Sequence, residues 1–186
     1  MNRIVVTDIF GKTPALESLC QELPGTSQIV DPYQGRFRNF SSEAQAYACF
    51  TSEVGLPRYA EALHDQVSGQ NGKVELIGFS VGASAIWLLS ERFTAEKVTG
   101  ATCFYGSQIR HSIHLSPRFP VHLILPASEQ HFSVQELANS LERKQNVEIE
   151  HTPYLHGFMN RYSENFNETA YRHFIQWLSP TVLTPC

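Results

Sequence analysis

The chain has 186 residues, of which 42% are hydrophobic and 17% are charged. These values fit one globular domain over 1–186 that buries roughly 70% of the surface of its unfolded chain. The formal charge of −4 at pH 7 provides no strongly basic face for nucleic acid or an anionic membrane. No apolar run is long enough for a signal peptide or a membrane span, so we expect a cytoplasmic protein.

Strands and helices are predicted to alternate along the chain. A β-branched run over Arg3–Val6 is typical of a buried strand, and Thr13 with Pro14 predicts the start of a helix that ends near Leu23. Further strands are predicted over 27–33, 73–77, 98–106, 120–127 and 146–154, and further helices over 42–67 (interrupted at 55–57), 81–93, 133–144 and 164–178. This alternation favours a mostly parallel sheet with helices on both faces. The least regular segment, 34–58, is a candidate for a small lid.

The sequence Gly78-Phe79-Ser80-Val81-Gly82 has the pattern GxSxG at a predicted strand-to-helix junction. In a nucleophile elbow the serine adopts a strained backbone that aims its Oγ out of the sheet, and the flanking glycines avoid collisions there. The N–H groups that open the following helix point toward negative charge. We therefore predict a nucleophile at Ser80. The alternative is a glycine-rich turn without chemistry in a doubly wound fold.

A serine hydroxyl needs a base, and His156 has a suitable place in the chain. It lies in YLHGF (154–158), between the last predicted strand and the last predicted helix, as the chain order nucleophile, acid, histidine requires. Three other loop histidines come too early for that order: His111, His114 and His131. We expect no metal site, because His111 and His114 lack a clustered carboxylate and the four cysteines form no CxxC pair.

Five landmarks in order resemble the dienelactone hydrolase family of α/β-hydrolases. They are VVTDIFG (5–11), IVDPYQGR (29–36), IGFSVGAS (77–84), CFYG (103–106) and YLHGF (154–158). The resemblance implies a compact α/β-hydrolase fold that lacks the first strands and the substantial cap of larger relatives. It also implies that Ser80 is the nucleophile and His156 the base. The backbone N–H groups of Val81 and Ile9 would then form the oxyanion hole.

The chain departs from the family pattern at two points. Family members that cleave dienelactones carry a cysteine in place of Ser80, which moves the expectation toward esterase-like relatives. The family's Gly-x-x-Asp loop is replaced by LILPASEQHFSV (123–134), where alignment on the strand end selects Glu129 as the acid and alignment on the downstream HF selects Gln130. A glutamate can stabilise an imidazolium, whereas a glutamine contributes no charge. We favour Glu129, with Gln130, no acid or a distant carboxylate as the alternatives.

Residues near the predicted elbow are candidates for substrate binding. Asp8 and Phe10 lie in the loop after the first strand, and Tyr105 lies at the end of the predicted strand 98–106. Asp8 is expected either to hydrogen-bond Ser80 or to cap the following helix. The basic residues of the next loop are Arg110, His111, His114 and Arg118. They could hold an acidic substrate group, with a solvated loop as the alternative.

The sequence therefore predicts a serine hydrolase that cleaves a small ester, lactone or thioester through an acyl-enzyme on Ser80. No cofactor is expected, and a small-molecule substrate is the expected partner. An exposed sheet edge would allow a homodimer. The alternative is a catalytically degenerate α/β-hydrolase that binds a ligand or a protein. A flavodoxin-like cofactor binder has little support, because the loop TDIFGKTPA (7–15) is too poor in glycine to cradle a phosphate.

Overall fold

A parallel six-stranded sheet forms the centre of the computed structural model, which describes residues 2–179. The strands are β1 (Asn2–Val6), β2 (Ser27–Val30), β3 (Val74–Phe79), β4 (Val98–Phe104), β5 (Val121–Leu125) and β6 (Val147–His151). Their order across the sheet is β2-β1-β3-β4-β5-β6, and every neighbouring pair is parallel. The mostly parallel sheet predicted from the sequence is confirmed.

In the described part of the chain, six α-helices connect the strands or follow them. They are α1 (Pro14–Glu22), α2 (Glu43–Glu53), α3 (Leu56–Gly69), α4 (Val81–Leu88), α5 (Val134–Leu141) and α6 (Glu168–Leu178), and a 3₁₀ helix spans Ser107–His111. The sequence predicted the six α-helices but not the 3₁₀ helix. Within residues 2–179, none of the helices combines the length and apolarity that crossing a bilayer demands.

The sheet separates two hydrophobic clusters because successive side chains of a strand point to opposite faces. In β1, Ile4 and Val6 join the cluster under α3, α4 and α5, whereas Val5 joins the cluster under α1 and α6. Both faces of the sheet are therefore covered by helices. This arrangement confirms the predicted α/β class.

The parallel strands bring their carboxyl ends to one edge of the sheet. The loops and turns that follow β1, β3, β4, β5 and β6 carry Asp8, Ser80, Tyr105, Glu129 and His156 in turn. In open α/β sheets this edge is where ligands bind. Residues that are far apart in the chain therefore meet there.

Candidate active site

Ser80 occupies a strained turn between β3 and α4. Its φ of 52° and ψ of −112° lie in a backbone region that residues other than glycine rarely adopt. The Ser80 N–H donates to the Phe104 carbonyl at 2.9 Å, which ties the turn to β4. The residue as a whole is only 8% exposed, so the strain is held by close packing on several sides.

The two glycines of the motif allow α4 to approach the sheet. A Cβ on Gly78 would lie 2.7 Å from the backbone nitrogen of Ala83, inside the first turn of α4. A Cβ on Gly82 would overlap the carbonyl oxygens of Val6 and Thr7 at the end of β1. Both positions therefore exclude every side chain larger than hydrogen.

An unbroken chain of hydrogen bonds joins Ser80, His156 and Glu129. Ser80 Oγ lies 2.9 Å from His156 Nε2, and His156 Nδ1 lies 2.6 Å from Glu129 Oε1. The side chain of Glu129 is 14% exposed and that of His156 is 31% exposed. With a carboxylate beside Nδ1, that nitrogen carries the proton and Nε2 is left to accept one. Gln130, the sequence alternative, is exposed and lines the adjoining cleft.

The loop that carries His156 is fixed by residues that sequence reasoning missed. Asn165 Nδ2 donates to the His156 carbonyl at 2.9 Å. Ser163 packs against Gly157, where a Cβ would collide with it, and donates to Glu43 Oε1 of α2 at 2.5 Å. No sequence pattern distinguishes these three polar residues from solvated loop residues, because their partners lie on other elements.

Two backbone N–H groups border the site near Ser80. Asp8 to Gly11 form a β-turn in which the Gly11 N–H donates to the Asp8 carbonyl at 3.1 Å, and the Ile9 N–H takes no part in that turn bond. Val81 is the first residue of α4, and the first N–H groups of a helix have no partner within it. Ile9 and Val81 line the same cleft as Ser80.

The cleft over these residues has a volume of about 800 Å³. Helix α2 provides one wall through Glu43, Ala44 and Tyr47, so part of the predicted lid segment 34–58 does border the site. The exposed side chains of Tyr47 and Leu155 give this cleft an apolar rim. A small organic molecule would fit beside the serine.

Of the four basic residues that could hold an acidic substrate group, Arg110 lines the cleft. Its Nη1 donates to the Ser107 carbonyl at 2.6 Å, and its guanidinium lies 4.9 Å from the centre of the Phe132 ring. The other three side chains are exposed and do not line the cleft: His111, His114 and Arg118. Of these four basic residues, only Arg110 is therefore placed to contact a molecule bound in the cleft.

Asp8 makes neither of the two contacts expected from the sequence. Its Oδ1 accepts from the Phe10 N–H at 2.9 Å and its Oδ2 accepts from Asn160 Nδ2 at 2.6 Å, whereas α1 is capped by Thr13. Burial raises the pKa of the Asp8 carboxyl from 3.8 to about 6, and its two hydrogen bonds oppose that shift. The side chain thus joins the turn after β1 to the loop after His156, which corrects both expectations.

Phe10 and Tyr105 also lie outside the lining of the cleft. Phe10 is 5% exposed and packs against Tyr162, with 6.0 Å between the ring centres. Tyr105 is 1% exposed, and its ring lies behind His156 with 4.9 Å between the ring centres. With Asp8, Tyr105 borders a separate cavity of about 20 Å³, which is space for about one water molecule. Asp8, Phe10 and Tyr105 were predicted to bind substrate, but they lie behind the cleft and do not line it.

Comparison with known sequences agrees with this architecture. The model of the dienelactone hydrolase family matches residues 33–182. The uncharacterized protein YczH of Bacillus subtilis (strain 168) is 38% identical over 133 residues, which are 69% of this chain and 64% of that protein. The chain therefore matches less than two thirds of the length of that relative.

Solved structures share the fold at low sequence identity. A dienelactone hydrolase-like promiscuous phosphotriesterase, P91 from metagenomic libraries, has a TM-score of 0.64 and 15% identity, covering 95% of this chain and 84% of that one. Est1E from Butyrivibrio proteoclasticus has a TM-score of 0.59 and 8% identity, covering 95% and 86%. At such identities the likeness concerns the fold, and it agrees with the α/β-hydrolase architecture expected from the sequence.

Proposed function

Because the chain belongs to the dienelactone hydrolase family, we propose that it is a serine hydrolase of small esters, lactones or thioesters. The observation that carries this proposal is the continuous hydrogen-bonded chain from Ser80 through His156 to Glu129. A serine becomes nucleophilic when a base is within hydrogen-bond reach and a third group orients that base. All three groups are present in one arrangement.

The proposed reaction begins when Ser80 Oγ attacks the substrate carbonyl carbon while His156 Nε2 accepts the hydroxyl proton. The carbonyl oxygen becomes an oxyanion that accepts hydrogen bonds from the N–H groups of Val81 and Ile9. His156 then gives its proton to the leaving alcohol or thiol as the bond to carbon breaks. Water attacks the acyl-enzyme by the same route, which releases the acid and restores Ser80.

Glu129 would stabilise the imidazolium that exists while His156 holds the transferred proton. Its carboxylate is 2.6 Å from Nδ1 and mostly shielded from solvent, so it lies beside the positive charge that forms on the ring during the reaction. The competing function, a degenerate binding protein, would not need this contact. The hydrogen bond between Glu129 and His156 therefore supports turnover over simple binding.

The first experiment is intact-mass detection of a fluorophosphonate adduct, since only an activated serine reacts quickly with this reagent. We expect one adduct on the wild-type protein and none on Ser80→Ala. Ser128→Ala is the matched control, because Ser128 is an exposed serine of the same cleft, and it should label as the wild type does. An unlabelled wild type would reject the proposed mechanism, and full labelling of Ser80→Ala would reject Ser80 as the nucleophile.

A further inference from the structure

We propose that Tyr33 is a positioning residue for the oxyanion hole, because its hydroxyl holds the peptide group that follows the Ile9 N–H. This inference rests on the proposed hydrolase function and assigns a role to a residue outside the cleft. Tyr33 Oη donates to the Ile9 carbonyl at 2.7 Å. The two residues are 24 positions apart in the chain, so the bond connects the turn after β1 with the loop after β2.

The peptide group that contains the Ile9 N–H is anchored by its carbonyl. This carbonyl belongs to Asp8, and it accepts from the Gly11 N–H at 3.1 Å and from Thr7 Oγ1 at 3.1 Å. In a trans peptide the C=O and N–H groups point in opposite directions. The two bonds to the carbonyl therefore aim the Ile9 N–H away from the turn, on the side where Ile9 lines the cleft.

The next peptide group, between Ile9 and Phe10, is held at both ends. Its N–H donates to Asp8 Oδ1 at 2.9 Å, which is a bond within the turn. Its carbonyl accepts from Tyr33 Oη, which comes from outside the turn. Fixing the peptide groups on both sides of Ile9 restricts its φ and ψ, and hence the direction of its N–H. The other bonds to these two peptide groups come from residues 7–11, whereas the Tyr33 bond comes from the loop after β2.

Tyr33 is itself immobilised by its neighbours. It is 6% exposed, and its backbone N–H donates to Asp31 Oδ1 at 2.8 Å. Its ring fits against Gly11, where a Cβ would come within 2.6 Å of the ring carbon Cδ2. The Arg38 guanidinium covers the ring at 5.3 Å from its centre. The hydroxyl is therefore a fixed donor at the back of the turn.

The effect of losing this donor follows from how oxyanion holes work. Their N–H groups stabilise the transition state because they point at the developing charge before the reaction starts, and deletion of one donor costs about 100- to 1,000-fold in kcat. Removal of the Tyr33 hydroxyl leaves the Ile9 N–H in place but less well aimed. We therefore expect a smaller loss, of about 10-fold in kcat, with little change in KM.

The experiment compares Tyr33→Phe with Tyr171→Phe, which deletes the hydroxyl of another buried tyrosine. That hydroxyl donates to Glu22 Oε1 at 2.7 Å. Hydrolysis of a p-nitrophenyl ester gives kcat and KM, and an alkyl boronic acid, whose tetrahedral adduct carries the oxyanion, gives an inhibition constant. We expect Tyr33→Phe to lose about 10-fold in both kcat and boronic acid affinity, and Tyr171→Phe to lose neither. Titration with the fluorophosphonate corrects each rate for the fraction of folded enzyme.

A purely structural role for Tyr33 would lower the melting temperature and the titrated fraction while leaving the corrected kcat and the boronic acid affinity as in the wild type. That result, with an active wild-type enzyme, would overturn the positioning role and leave the proposed function intact. A wild-type protein that neither hydrolyses the ester nor reacts with the fluorophosphonate would reject both proposals.

Discussion

At the scale of single residues, Glu129 has the contact that its neighbour Gln130 lacks. Two alignments of the same loop with the family pattern selected these two residues, and both line the cleft. The carboxylate of Glu129 is directed at His156 Nδ1, whereas Gln130 is exposed. Which of the two residues reaches His156 depends on the path of the backbone after β5. The insertion or deletion of one residue changes that path, and a sequence pattern does not specify it.

The charge of Glu129 should therefore be essential for turnover. Glu129→Gln keeps the size of the side chain but removes the negative partner of the imidazolium, and the loss of such a partner lowers kcat by about 10⁴-fold in a serine triad. We expect a loss of that order in ester hydrolysis by Glu129→Gln.

The matched control for that measurement is Gln130→Ala, which should keep kcat within the experimental error. Steady-state kinetics at pH 7 with one p-nitrophenyl ester is sufficient for both variants. If Gln130→Ala lost activity and Glu129→Gln did not, the assignment of the acid would have to be exchanged.

At the scale of elements, the close approach of α4 to β1 requires the second glycine of the GxSxG motif, Gly82. The contact of Gly82 with the carbonyl oxygens of Val6 and Thr7 involves backbone atoms on both sides. Backbone cannot move aside as a flexible side chain can, because β1 lies between two neighbouring strands. The motif is thus a packing requirement of this strand-to-helix junction as well as a catalytic pattern.

Gly82→Ala should be strongly destabilising, by about 3 kcal/mol, because overpacking against backbone displaces α4. Gly69 is the last residue of α3, and a Cβ at this position would point into open space. Gly69→Ala should therefore stabilise the protein by about 0.5 kcal/mol, because alanine lowers the conformational entropy of the unfolded chain. Urea denaturation gives both free energies of unfolding. Equal stability of Gly82→Ala and the wild type would contradict the close approach.

Much of the element pattern was predictable from the sequence, whereas several ends were not. Strands with β-branched runs and the Thr13-Pro14 helix start were found because their signals are local. Strand β2 ends at Val30 instead of residue 33, since Asp31 bonds the N–H groups of Tyr33 and Gly35 and turns the chain. Helix α6 starts at Glu168 instead of residue 164, because Asn167 caps it. Both errors are places where a side chain competes with the backbone pattern.

At the scale of the whole molecule, polar groups lie partly buried at the carboxyl edge of the sheet. Through one of them, Asp8, the free energy of unfolding of the protein should depend on pH. Asp8 reaches solvent with part of its surface, but burial raises the pKa of its carboxyl to about 6. The folded state thus holds this proton more tightly than the unfolded chain does. The resulting stabilisation is complete below about pH 4 and is lost as the pH rises through about 6.

The test is the free energy of unfolding of the wild type and of Asp8→Asn, measured in urea between pH 4 and pH 7.5. Asparagine does not titrate, so other groups contribute similarly to both proteins. Relative to Asp8→Asn, the wild type should lose up to about 2 kcal/mol of stability as the pH rises across this range. Parallel pH profiles of the two proteins would show that the carboxyl has an ordinary pKa.

The position of β6 at one side of the sheet has a consequence for the protein during its synthesis. Ser80 and its turn leave the ribosome well before His156, which lies 76 residues further along the chain. Strand β6 must pair with β5 before its following loop can bring the imidazole to the serine. A nascent chain therefore carries an inert serine, and if the protein works as proposed, its reactivity begins only when the outermost strand has docked.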